Sequence, residues 1–102
     1  MNCIKNLYLD ENLKNIDGIL ASLERKESIF NVYLLCVDNS SGNLAEIMSM
    51  REAFADRNIG GEITLIGIAY GRRGGYGLFS KIVKEYIEKG FDIKDFKDKI
   101  LQ

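Results

Sequence analysis

Apolar residues in this chain alternate between near-continuous runs and runs at helical spacing. Ile29 to Val37 (Ile-Phe-Asn-Val-Tyr-Leu-Leu-Cys-Val) is almost unbroken and rich in β-branched and aromatic side chains. That pattern predicts a strand covered on both faces. Glu62 to Tyr70 reads the same way, and Ile4 to Leu9 reads as a short first strand. Leu13, Ile16, Ile19, Leu20 and Leu23 recur at helical spacing, predicting a helix over Leu13 to Glu27 that starts from the turn residues Asp10, Glu11 and Asn12. Gly18 weakens that helix slightly.

Asp38 to Asn43 reads as a loop. Asn43 and Glu46 have the spacing of a capping-box variant. Leu44, Ile47, Met48, Phe54 and Ala55 then mark the buried face of a second helix running to about Arg57 and ended by Asn58 to Gly61. A glycine-rich loop, Gly71-Arg72-Arg73-Gly74-Gly75-Tyr76-Gly77, leads into a third helix from Leu78 to Lys89, with Leu78, Phe79, Ile82, Val83, Tyr86 and Ile87 as its stripe and Lys89-Gly90 as its end. The last segment, Phe91 to Leu101, is either a short helix capped by Asp92, with Ile93, Phe96 and Ile100 on its buried face, or an edge strand.

The order β-α-β-α-β-α plus a terminal element predicts one α/β domain over residues 1–102: a mostly parallel sheet of three to four strands with flanking helices. Ligands of such sheets collect outside the carboxyl ends of the strands. Both Asp38 to Asn43 and Gly71 to Gly77 leave such ends, so neighbouring strands would bring the two loops to one rim.

Composition narrows the chemistry. The chain has 102 residues, 46% hydrophobic and 28% charged, which is ordinary for a single soluble domain. Net charge is −1, giving no electrostatic reason to expect nucleic acid or an anionic membrane as a partner. There is no histidine, which removes Ser-His and Cys-His nucleophilic pairs and the commonest neutral metal ligand. With only Cys3 and Cys36 left, neither a metal site nor a resident cofactor is expected. Cys36 lies inside an apolar run and reads as a buried small hydrophobe. No signal-peptide h-region follows Met1, and no apolar run approaches a bilayer span, so the chain reads as cytoplasmic and reduced.

Two stretches carry candidate chemistry. Gly71, Arg72, Arg73, Gly74, Gly75 and Tyr76 form either a cradle for an anion, with the arginines as clamps, or a turn whose glycines permit close helix–strand packing. The stretch is no P-loop, since Gly-x-x-x-x-Gly-Lys-Ser/Thr is missing. Asn39, Ser40, Ser41 and Gly42 are either a phosphorylation or ligand site at a helix start or ordinary capping residues. Asp38, at a strand end, is the best-placed general base if the chain is an enzyme, and a turn-former otherwise. No complete catalytic constellation is visible. Tyr70 and Tyr76 flank the glycine-rich stretch, positioned to stack on a ring or to pack a rim. Lys81, Lys84, Glu85, Glu88 and Lys89 read as a solvated face.

Asn39-Ser40-Ser41-Gly42, followed by Gly60-Gly61-Glu62-Ile63-Thr64-Leu65-Ile66-Gly67 and the tail from Ile82 to Ile100, resembles STAS domains, the sulfate-transporter and anti-sigma-factor-antagonist family. That resemblance implies a phospho-switched binding module in which Ser41 is the modified serine. The signature aspartate of the family stands as Asn39, with Asp38 one place early. A second pattern, Asn39 to Gly42 followed by Gly67-Ile68-Ala69, resembles the Clp-protease and crotonase superfamily, but no serine stands near Gly71 and no histidine exists.

Three functions follow as expectations. The first is a small cytosolic regulatory or protein-binding module, phospho-switched at a helix N-terminus. The second is a binding domain or small enzyme subunit for a small anionic ligand, using the Gly-Arg-Arg-Gly-Gly stretch. The third is a structural homo-oligomer that pairs its sheet edges.

Overall fold

A computed structural model describes residues 2–55 and 63–101. Four strands, β1 (Asn2–Leu9), β2 (Val32–Asp38), β3 (Glu46–Ser49) and β4 (Ile63–Tyr70), form one sheet in the order β1-β4-β2-β3. Only β1 and β4 run parallel; β2 is antiparallel to both of its neighbours. The sheet is therefore mixed, not mostly parallel as the alternation of elements predicts.

The difference arises on both sides of β2. β2 starts at the rim where β1 ends, so the helical connection between them is not a crossover, and the chain turns back again after Asp38. The Ser41 N–H donates to the Asp38 carbonyl at 3.1 Å, and the chain reverses there and returns as β3. No helix begins at Asn43. Over a run this short, apolar residues fit both periods, and here the period is two: Ile47 packs on one face of the sheet and Met48 on the other. The helix start lies further on. Ser49 Oγ accepts from the Glu52 N–H, and Glu52 Oε1 accepts from the Ser49 N–H, both at 3.1 Å, closing a capping box. The resulting helix, α2 (Met50–Ala53), is one turn long. Arg57, Asn58 to Gly61 and Glu62, where that helix was expected to end and the next strand to begin, lie outside the described residues.

The other helices are α1 (Ile16–Arg25), α3 (Gly71–Glu88) and α4 (Phe96–Ile100), with a 3-10 turn at Ile93–Asp95 before α4. The helical alternative holds for the tail, but Asp92 caps the 3-10 turn, accepting the Lys94 N–H at 3.2 Å, and Ile93 is exposed while Phe96 and Ile100 are buried. α1 is shorter than Leu13 to Glu27. Asn15 takes a left-handed φ of 54° ahead of it, and Lys26 takes φ 57° at its end.

Three layers result. One face of the sheet packs Leu34, Cys36, Leu65 and Ile68 against Leu13, Ile19 of α1 and Met50, Ala53 of α2. The other packs Leu35, Val37, Ile66 and Ala69 against Leu78 and Ile82 of α3 and Phe96 and Ile100 of α4. Phe96 is the largest fully buried side chain and meets Phe79 and Tyr86 edge-on, with ring centroids 6.1 and 5.4 Å away.

Candidate functional site

Because β2 is antiparallel to β4, Val32 pairs with Tyr70 at one end and Asp38 with Ile63 at the other. Asp38 to Asn43 and the start of α3 thus sit on opposite rims. The seven residues of β2 separate them by about 20 Å, too far for the two stretches to share one small-ligand site.

The Gly71–Gly77 stretch is not a loop. It forms the first two turns of the 18-residue α3, which leaves β4 without an intervening residue. Gly71 makes that junction with φ 68°, a left-handed value that glycine tolerates and other residues resist. Its N–H donates to the Asn31 carbonyl at 2.7 Å. The glycines after it differ in their surroundings. A Cβ on Gly75 would stand 2.8 Å from Ile47 Cγ2, and one on Gly74 would stand 3.0 Å from Asp10 Oδ2. These two let α3 lie close to the sheet. Gly77 has open space where its Cβ would be, with no atom of the described residues within 4 Å.

The rim around this helix start gathers the ends of β1, β3 and β4 and the beginning of β2. Asp10, at the end of β1, faces the inner side of α3; its Oδ2 accepts from the Tyr70 N–H at 3.4 Å. The Tyr70 hydroxyl donates to the Lys14 carbonyl at 3.1 Å, which packs the rim without presenting the ring for stacking. Arg72 leans over the Tyr33 ring, 5.2 Å from its centroid, and lies 3.8 Å from Glu52. The Tyr76 hydroxyl first, and Tyr33 second, raise the Arg72 pKa, holding its charge in place. Arg73 is exposed and has no ion-pair or hydrogen-bond partner among the described residues. Phe30, at the apex of the turn next to Asn31, is 95% exposed.

Sequence reading places Asp10 in a turn and Asn31 inside a strand, and so misses both at this rim. The signal was Asn31 itself. An asparagine interrupting an apolar run marks a left-handed turn residue, and its φ is 65°.

At the opposite rim, the Asp38 carboxylate accepts from the Ser40 hydroxyl at 2.6 Å and from the Ser40 N–H at 2.9 Å. These two bonds, the hydroxyl first, lower the Asp38 pKa from its ordinary value. A carboxylate held ionised in this way is a weaker base, and it stands a sheet's width from Arg72 and Arg73. Asp38 cannot act on a ligand held at the start of α3. Ser41 Oγ accepts from the Asn43 N–H at 3.0 Å, and the Ser41 carbonyl accepts from Lys97 Nζ of α4, which also reaches the Asp38 carbonyl at 2.9 Å. No helix N-terminus stands behind Ser41, so the dipole that would favour a phosphate there is missing. Asn39, Ser40 and Gly42 complete a short turn held from below by one lysine.

The remaining candidates are structural. Lys84–Glu88 and Lys89–Glu85 form i,i+4 pairs at 4.0 and 3.1 Å on exposed α3, pairs of small energetic weight. Both cysteines are free thiols, Cys3 exposed and Cys36 buried. Burial first, then the nearby Glu46, pushes the Cys36 thiol up to about 12, leaving no reactive thiolate near neutral pH. In the native protein a thiol reagent at pH 8 is therefore expected to titrate one cysteine, and two after denaturation; two native thiols reacting at equal rates would contradict this burial. Among the described residues no group of three or more Cys, Asp or Glu side chains is placed to hold a metal ion, and no helix is long and apolar enough to cross a membrane.

No family model matches this chain, and neither the curated proteins nor the solved structures contain a match to it.

Proposed function

We propose that this chain is a binding domain for a small ligand carrying a phosphate or a similarly compact anion, held at the solvent side of the start of α3. One observation carries the reading: the first two turns of α3 are built against the preferences of an isolated helix. Arg72 and Arg73 sit at its positive end with no acidic residue in the first turn, where each cation costs about 0.3–1 kcal/mol. Gly77 costs about 0.8–1 kcal/mol relative to alanine, and no packing among the described residues accounts for it. A bound anion reverses the sign of the arginine interaction, and an open glycine lets a ligand approach the helix backbone. Asp10 already answers the helix start from the sheet side, leaving the outer side, with Arg73, for a ligand.

A thermal-shift series with inorganic phosphate, sulfate, nucleotides, coenzyme A and dinucleotides tests this reading. One of them is expected to raise Tm dose-dependently, by the equivalent of about 2.7 kcal/mol at a hundred times its Kd. The shift is expected to vanish in Arg72→Ala/Arg73→Ala and to survive in Asp38→Asn. No shift from any of them, or a shift indifferent to both arginines, sinks the proposal.

A second reading, docking of a protein, is favoured by an apolar groove on the outer flank of α3. Leu44, Phe79, Val83 and Ile87 line it, with Ile87 55% exposed, beside the turn that carries Ser41. This reading retains the regulatory module that the STAS resemblance implies, with any phosphate on Ser41 acting through the turn and Lys97. A partner retained by the native chain and by Arg72→Ala/Arg73→Ala, but released by Ile87→Asp, supports it; retention unchanged in Ile87→Asp defeats it. Edge pairing into a homo-oligomer is the least supported. β3 spans only four residues, and β1 carries Lys5 and an irregular register against β4, devices that discourage edge-to-edge pairing.

A further inference from the structure

We draw no further inference here: the strongest candidate, the apolar cavity of about 480 Å³ between α1 and the β1–β4 pair lined by Leu7, Leu20, Leu23, Phe54 and Leu65, abuts the chain on either side of residues 56–62, and nothing in the structure shows what covers it.

Discussion

Replacing Phe96 by alanine is expected to lower stability by about 3–5 kcal/mol, the usual range for deleting a buried aromatic ring. The ring is 1% exposed, sits beneath α3, and is the anchor by which α4 closes the second core layer. Its edge contacts with Phe79 and Tyr86 disappear with it. On a domain of this size each kcal/mol moves Tm by roughly 4–8 °C, so a fall of more than about 10 °C is expected in a melting curve. Domains of this kind rest on only about 5–15 kcal/mol in total, and the variant is therefore near the threshold of unfolding at ambient temperature. A fall of less than a few degrees would mean that the tail is not packed as described. Phe96→Leu, which keeps most of the apolar volume, is expected to recover much of the loss.

The second large effect is a contrast inside one helix. Gly75→Ala and Gly77→Ala make the same chemical change two residues apart, and both add the same intrinsic helix preference of about 1 kcal/mol. At Gly75 the new methyl meets Ile47 Cγ2 at 2.8 Å. Ile47 is β-branched and fixed in β3, so it yields poorly, and overpacking of this kind costs about 1–3 kcal/mol. At Gly77 the methyl meets nothing. Denaturant melts are expected to show Gly75→Ala destabilised and Gly77→Ala stabilised by about 0.5–1 kcal/mol. Two changes of the same sign would overturn the orientation of α3 on the sheet. If the ligand proposal holds, Gly77→Ala also gains its stability at the expense of the ligand-induced Tm shift, because stabilising changes at a binding surface commonly lower function.

The particular elements show what was readable in advance and why the rest was not. The runs Ile29 to Val37 and Glu62 to Tyr70 declare two central strands, since only strands covered on both faces are apolar throughout; both pack helices on each side. α1 and the part of α3 from Leu78 onward declare themselves by period, whereas the tail from Phe91 fits a short helix and an edge strand equally. What composition and period do not carry is direction. A parallel or an antiparallel neighbour buries the same side chains, and the choice here rests on two connections expected to cross over: α1, which delivers β2 at the rim where β1 ends, and the turn after Asp38. The reversal after Asp38 puts a strand where a helix start was expected, and the direction of β2, opposite to β1, puts Asp38 to Asn43 on the far rim. The chemistry at the start of α3 was legible as residue types, arginine and glycine after an apolar strand. Its form was not, because glycines that signal a loop in sequence are tolerated in a helix when a neighbour such as Ile47 or Asp10 needs the space.

The position of β1 bears on the order in which the molecule assembles. Among the described residues β1 is the first strand in sequence, yet its sole neighbour in the sheet is the last, β4, and Asn2 pairs with Thr64, 62 residues later. At ribosomal rates of 5–20 residues per second, β1 waits about 3–12 s for its partner to be made. The β2–β3 hairpin, whose pairing of Tyr33 with Ser49 spans 16 residues, is complete long before. Closure of the long loop thus falls late, and a pairing this distant in sequence slows folding relative to local helix formation. Until β4 is made, β1 is the strand of the newborn protein that stands without its partner and so is open to pairing with the wrong strand.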